Sequence, residues 1–240
     1  MPQVKQTDLA HPDLKTIQNL FNAIPKQYDF LNSFLSLGLD SRWRRRAAQC
    51  SVDGTEQSII DLGVGTGKSL AAFLKRHRFD YAVGCDFSQE MLKRAQRRLK
   101  GKATLMACDF HALPFPNQTF DIATGSFILR SVQQMSSFLN EVKRVLKPGA
   151  KAVFLELTRP KNPLVRRLCY EPYLKWMVPC IGRIFSRHGE AYQFLSQSVL
   201  AFPEPEKLAE EFKTAGFTQV VLKPFSFGIV TLIIGRRGCE

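Results

Sequence analysis

The sequence predicts an α/β protein: a doubly wound sheet of about seven mostly parallel strands, with an antiparallel last strand. Three observations predict it. First, Ile59-Ile60-Asp61-Leu62-Gly63-Val64-Gly65-Thr66-Gly67 runs from apolar residues through an acid into alternating glycines, and a helical pattern follows from Lys68 to Lys75. This reads as strand, tight turn, helix. The glycines let the backbone turn and approach a ligand where a Cβ would clash, and the helix start behind them offers free N–H groups to an anion. Second, Tyr81-Ala82-Val83-Gly84-Cys85-Asp86 is another short apolar run ending in an acid. Asp86 lies nineteen residues after Gly67, about the spacing at which a βαβ unit places a carboxylate for ribose hydroxyls. Third, strand-like and helix-like runs alternate from Ser58 onward, the pattern of a mostly parallel sheet.

The glycine loop is not the dinucleotide form G-x-G-x-x-G, because position 68 is Lys, and it lacks the G-x-x-x-x-G-K-[ST] of a P-loop. Asp-Leu-Gly-x-Gly-x-Gly, with an acid closing the second strand, resembles the class I S-adenosylmethionine (SAM) methyltransferases. In that class the glycine turn passes under the methionine part and the second-strand acid takes both ribose hydroxyls.

With 240 residues and 45% hydrophobic content the chain has ample core for one domain or two. We read one domain: a helical lead-in (1–57), a SAM-binding core (58–158), a helical substrate cap (159–203), and a C-terminal helix with the last strands (204–240). The start of the chain carries Asp8 and Asp13 and no apolar leader, and no stretch reaches the roughly 20 apolar residues of a bilayer-spanning helix. A cytoplasmic location, peripheral at the inner face of the membrane, is expected. Six cysteines show no C-x-x-C or zinc spacing, so no metal is expected; Cys85 and Cys108 fall in apolar strand runs and read as small core residues. A net charge of +13 and a pI near 9.7 favour an anionic partner, nucleic acid or an acidic membrane surface, or serve solubility alone.

Taken in order, residues 1–15 read as a loose tail, and Ile17, Leu20, Phe21 and Ile24 recur at helical spacing. Residues 28–43 are too apolar and aromatic for a linker and predict helical pieces over the mouth of the SAM site, or, more plainly, a helix covering a sheet face. Arg42, Arg44, Arg45 and Arg46 around Trp43 resemble a lipid or nucleic-acid interface. Ser88 is an N-cap candidate for a basic helix from Gln89 to Lys100, whose Lys93, Arg94, Arg97, Arg98 and Lys100 read as a solvated face.

Ala103 to Ala107 is the third strand. After it, Asp109 is suited to accept a hydrogen bond from an adenine amino group, with Phe110 flanking the ring; alternatively Asp109 caps local N–H groups. Phe120 to Phe127 is the fourth strand, so Ser126 to Val132 should face the crevice outside the strand ends. Arg130 stands there in an apolar run and needs a partner or a function. Phe138 to Leu146 reads as a helix ended by Lys147-Pro148-Gly149, and Ala152 to Leu157 as the fifth strand, with Glu156 close to the same crevice.

Arg159 to Phe202 interrupts the alternation with Tyr170, Tyr173, Trp176, Tyr192 and cations that include Arg166, Arg167, Lys175, Arg183 and Arg187. It reads as a helical cap suited to an apolar substrate delivered from an anionic membrane, or as a structural insertion packed on the sheet. Glu204 to Ala215 is a helix closed by Gly216. Val220 to Lys223 and Ile229 to Gly235 complete the sheet as a hairpin.

The whole pattern resembles the ubiquinone/menaquinone biosynthesis C-methyltransferases, from about Leu20 to Arg236. The resemblance rests on Tyr28-Asp29-x-Leu-Asn32-x-x-Leu-Ser36-x-Gly38-x-Asp40-x-x-Trp43, Arg144-Val-Leu-Lys147-Pro148-Gly149, Leu155-Glu156 and Ala191-Tyr192-Gln193-Phe194-Leu195. It implies SAM binding through Asp61, Gly63, Gly65 and Thr66 at the turn and Asp86 at the ribose, with Asp109, Phe110 and Ser126 around the adenine and sulfonium. It also implies a prenylated quinol substrate, with Tyr28, Asn32, Arg130 and Tyr192 on its side and Arg130 and Tyr28 as catalytic candidates ahead of His188. Demethylmenaquinol is the first substrate expected, and a benzoquinol of ubiquinone biosynthesis the alternative. Ser131, Gln197 and Arg187-His188 stand where the family usually has Asn, Glu and Gly-Asp, which leaves the proton-handling residue open. Peripheral contact with an anionic membrane is expected, nucleic acid is not, and a homodimer stays open. An RNA methyltransferase and a SAM-binding protein without catalysis are the readings from other classes.

Overall fold

The computed structural model describes residues 29, 33–180 and 196–239. Tyr28, Asn32, His188 and Tyr192, and the helical pattern from Lys15 to Ile24, lie outside them. Helix α1 (Leu39–Ser51) leads into β1 (Ser58–Leu62), α2 (Lys68–Arg76), β2 (Tyr81–Cys85), α3 (Gln89–Leu99), β3 (Thr104–Met106) and β4 (Phe120–Ser126). Then come α4 (Met135–Val145), β5 (Leu146–Leu157), the cap stretch, α5 (Pro205–Thr214), β6 (Phe217–Phe225) and β7 (Val230–Arg237). The cap stretch is helical over residues 163–180 and contains two π-turned runs, Arg166–Tyr170 and Tyr173–Met177.

The strands form one seven-stranded sheet in the order β3-β2-β1-β4-β5-β7-β6. Pairs β1–β2, β1–β4, β2–β3 and β4–β5 are parallel, and β7 runs antiparallel to both β5 and β6. The doubly wound class and the terminal hairpin are as the sequence predicts. The order reverses between β1 and β4, which sets a crevice outside their carboxyl ends.

Every residue of β1 is buried, as expected of a central strand covered on both faces. Ile59 and Ile60 point into opposite layers because successive side chains alternate. Ile60 joins Val83, Phe138, Phe154 and Phe212 on one face; Ile59 joins Trp43, Phe73, Phe79 and Leu92 on the other. A small third cluster of Tyr170, Leu174, Val178 and Val199 packs against Leu35, Leu157 and Ile229, which seats the cap stretch over the carboxyl end of β5.

Three expectations are corrected here. Lys147-Pro148-Gly149 does not terminate a helix; α4 ends at Val145, and these residues open β5, with a register irregularity between Phe120 and Ile122 absorbing them. Trp43 is 6% exposed and its Nε1 donates to Ser226 Oγ at 2.8 Å. It belongs to the inward face of α1 with Ala47, Ala48 and Ser51, so the arginines beside it frame no exposed aromatic patch. Arg98, finally, lies on the exposed face of α3 as expected but is not merely solvated, as its partners below make plain.

Candidate functional site

The geometry begins at the turn after β1. Gly63 has φ +67, and a Cβ there would meet Ile128 Cγ2 at 2.3 Å. Gly67 has φ +80 and caps α2, where a Cβ would press on the Ala95 backbone of α3 at 3.3 Å. Both positions therefore need glycine, one for the residue that follows β4 and one for helix packing. A cleft of about 490 Å³ opens beside this turn, within the roughly 300–1,000 Å³ of small-molecule sites.

Of the residues predicted for the cofactor, Gly63, Gly65, Asp86, Asp109, Phe110 and Ser126 line this cleft. Asp86 ends β2 with its carboxylate accepting from the N–H of Gly65 at 2.8 Å and of Ser88 at 2.9 Å. Burial raises its pKa while these donors counter the rise. Asp109 Oδ1 accepts from the His111 N–H at 2.8 Å, so it caps its own loop while lining the cleft. Ser126 shares a 2.8 Å hydrogen bond with Ser69.

Asp61 and Thr66 do not line the cleft. Asp61 is fully buried at the end of β1, and neither carboxylate oxygen has a hydrogen-bond partner. Burial pushes its pKa up to about 7, against the pull of the Arg44 guanidinium. A buried orphan carboxylate behind a glycine turn suits a cationic group such as the ammonium or sulfonium of SAM, so the residues present fit that cofactor. The Thr66 hydroxyl is turned to the lead-in instead: it donates to Asp29 Oδ1 at 2.7 Å and lies 2.7 Å from Arg98 Nη1.

That contact belongs to a network the sequence reading missed. Arg98 also bonds the Thr66 carbonyl and, through Nη2, Asp29 Oδ2 at 2.8 Å. Lys68 Nζ reaches Ser33 Oγ at 2.9 Å and Asp40 Oδ2 at 3.0 Å. Burial alone would raise the Asp29 carboxyl, but hydrogen bonds from Arg98 and Thr66 and the charge of Lys68 hold it below the ordinary range. The lead-in is thereby clipped to the glycine turn from outside.

On the other side of the cleft, Arg130 stands in a short 3₁₀ turn (Leu129–Ser131) after β4 and forms a buried ion pair with Glu156 of β5. Glu156 also accepts from the N–H groups of Leu129 and Leu157, each at 2.9 Å. Burial raises its pKa, with Arg130 as the main opposing charge. The partner that Arg130 required is therefore Glu156, and Arg130 itself does not line the cleft, whereas Ser131, Val132 and Gln133 do. Phe127 and Ile128 line it too, within the Ser126–Val132 stretch expected at the crevice, whereas Phe87, Met91, Ala107, Cys108 and His111 were unforeseen; Cys108, expected in the core, borders the cleft instead. Phe87 and His111 adjoin predicted positions, but no local pattern marks Met91.

A model of the ubiE/COQ5 methyltransferase family matches residues 8–237. The chain is 37% identical to the ubiquinone/menaquinone biosynthesis C-methyltransferase of Geobacter sulfurreducens, over 93% of this chain and 89% of that one. It is 36% identical to the demethylmenaquinone methyltransferase of Thermotoga maritima (92% and 96%) and 34% identical to that of Chlamydia caviae (97% and 99%). Among solved structures, a SAM-dependent methyltransferase from Thermotoga maritima superposes with a TM-score of 0.64 at 18% identity, over 91% of this chain and 99% of that one. Human N-acetylserotonin methyltransferase in complex with SAM gives 0.64 at 17% (95% and 60%). These two likenesses concern the fold. With the glycine turn, the Asp86 carboxylate and a family match that spans nearly the whole sequence, the chain is a SAM-dependent methyltransferase and belongs to the ubiE/COQ5 methyltransferase family.

Proposed function

We propose that this enzyme methylates a ring carbon of a prenylated quinol, with demethylmenaquinol as the substrate. The observation that carries the reading is the match, over more than 90% of the chain, to relatives named for demethylmenaquinone. The relative named for both ubiquinone and menaquinone supports a benzoquinol as the second candidate. A cleft lined by Phe87, Phe110, Phe127, Ile128 and Val132 suits a flat apolar ring. Peripheral contact with an anionic membrane belongs to the same reading and is supported by the net charge of +13. No described helix is long and apolar enough to cross a membrane.

When bound, SAM supplies an electrophilic methyl group. Asp86, oriented by the Gly65 N–H, would hold the ribose end, and the charge of Asp61, buried behind the turn, would balance the cationic end from there. The cleft residues would have to hold the quinol ring within about 3–3.5 Å of the reacting group. Ionising the neighbouring phenol hydroxyl would make the ring carbon nucleophilic; after taking the methyl group that carbon would lose its own ring proton and the phenol would regain one, so that one proton leaves overall. Arg130, buried in its pair with Glu156 behind the lining, would act as a positioning residue that fixes the turn carrying Ser131, Val132 and Gln133 to the substrate side of the cleft. Tyr28, Asn32 and Tyr192 complete the substrate side in this reading.

The test is incubation with methyl-labelled SAM and, separately, demethylmenaquinol, the methoxylated benzoquinol precursor and transfer RNA. Label in the naphthoquinol is expected. Label in RNA alone, or in nothing despite SAM binding, overturns the reading.

A further inference from the structure

The cap stretch has two apolar faces, and only one of them is covered. Tyr170, Leu174 and Val178 recur every four residues and are buried. Leu164, Leu168 and Trp176 recur at multiples of four on the other side, and are 68%, 69% and 76% exposed. A helix on a water-soluble surface presents polar residues outward, so this stripe needs an explanation.

Two turn tips project from loops tied to the same stretch. Leu37 is 85% exposed with φ 51, and Phe227 is 89% exposed with φ 59. Both are large apolar residues in a backbone region that L-residues rarely adopt, and neither gains burial there. The three projections are tied together. The Tyr173 hydroxyl donates to the Leu35 carbonyl, and Tyr170 donates to the Thr158 carbonyl at 2.7 Å. Thr158 Oγ1 donates to the Gly228 carbonyl at 2.8 Å. All three border the carboxyl end of β5, on the side of the sheet where the cleft opens.

The charge around them is mainly positive. Between residues 159 and 180 there are five cations and one acid, with Lys161 paired outside the stretch to Glu206 and Arg159 bonded to the Phe202 carbonyl. That acid, Glu171, is shared by Arg166 and Lys175, while Arg167 is exposed. Apolar tips within a cationic surround are what a bilayer with anionic headgroups recognises: the tips enter the acyl boundary and the cations meet phosphates.

We propose that Leu37, Leu164, Leu168, Trp176 and Phe227 form the seat of this enzyme on an anionic lipid bilayer. The inference rests on the reading above, because a prenylated quinol resides in that bilayer and the seat brings the cleft to it.

Co-sedimentation of the full chain with vesicles tests it. The wild type is expected to pellet with phosphatidylglycerol-containing vesicles and to stay largely in solution with phosphatidylcholine alone. Leu168→Ser with Trp176→Ser is expected to lower partitioning about tenfold or more, and Arg167→Glu about fivefold or more. Circular dichroism and affinity for S-adenosylhomocysteine should be unchanged. Leu37→Ser with Phe227→Ser gives an independent pair should the first fail to fold. Wild-type protein that ignores anionic vesicles, or paired variants that pellet like it, overturn the seat. So do variants that change only self-association in sedimentation velocity, which would assign the face to a second copy. Methylation of a short-tailed quinol dissolved in buffer is the parallel arm and should be equal in all proteins. If no quinol is methylated by any of them, the functional reading fails while the vesicle comparison still decides the seat.

Discussion

Asp86 and Glu156 are buried acids at the carboxyl ends of strands β2 and β5, on opposite sides of one cleft, and they are stabilised differently. Asp86 is held by two main-chain N–H groups, from the glycine turn and the start of α3. Glu156 is held by a charge, the guanidinium of Arg130, with two N–H groups in support. Main-chain donors are part of the fold and change little on substitution nearby. A buried ion pair depends on one side chain, and removing it strands the other charge. The Asp86 side of the cleft is thus built into the backbone, while the Arg130–Glu156 side is built from side chains and tolerates less.

Four substitutions would break or sharpen that contrast. The largest effect is expected for Glu156→Ala, which leaves Arg130 buried without its partner and should cost about 3–5 kcal/mol in denaturant unfolding. A loss below about 1 kcal/mol would show the pair to be incidental.

Asp61→Asn comes next. A carboxyl titrating near 7 in the fold, but in the ordinary range when unfolded, holds its extra stability below about pH 4 and loses it as pH rises through 7. Wild-type protein without cofactor should therefore lose a few kcal/mol between those limits, and the variant should not. Parallel melting curves for the two proteins would refute the shifted pKa.

Asp86→Ala should weaken S-adenosylhomocysteine by about 1.5–3 kcal/mol, the worth of hydrogen bonds to a charged group. Calorimetry reads this, and unchanged affinity would remove Asp86 from the ribose. The smallest effect belongs to Arg98→Ala, which frees Asp29 and the Thr66 hydroxyl in a partly exposed network. About 1 kcal/mol of stability should go, with a rise in KM for the quinol. Arg98→Lys should restore only part, since it cannot reach Asp29 and the Thr66 carbonyl together; full recovery would reduce the contact to simple charge.

The cofactor half was legible in sequence because its determinants are local. Ile59 to Arg76 spells strand, turn and helix in one run, and Asp86 follows at a spacing that a single βαβ unit fixes. The other half depends on pairs far apart in sequence. Arg130 and Glu156 each stood out beside the same crevice, yet only the parallel β4–β5 register brings them together. Arg98 looked like any cation on a basic helix, because the acid it meets lies 69 residues away. Lys147-Pro148-Gly149 read as a helix stop because a proline and a glycine after an apolar run usually are one. The irregular pairing that admits them to a strand is set by β4, not by their neighbours. Trp43 was misjudged from its adjacent arginines, although its spacing to Ala47 and Ser51 already marked an inward stripe.

The chain has two tryptophans, and they occupy opposite extremes: Trp43 is enclosed and bonded to Ser226, while Trp176 stands in solvent. Their emission should accordingly separate by wavelength, the first blue and resistant to aqueous quenchers, the second red and readily quenched. The molecule thus carries a built-in optical gauge, in which one indole reports whether the chain is folded and the other what its outer surface is touching, without any added label.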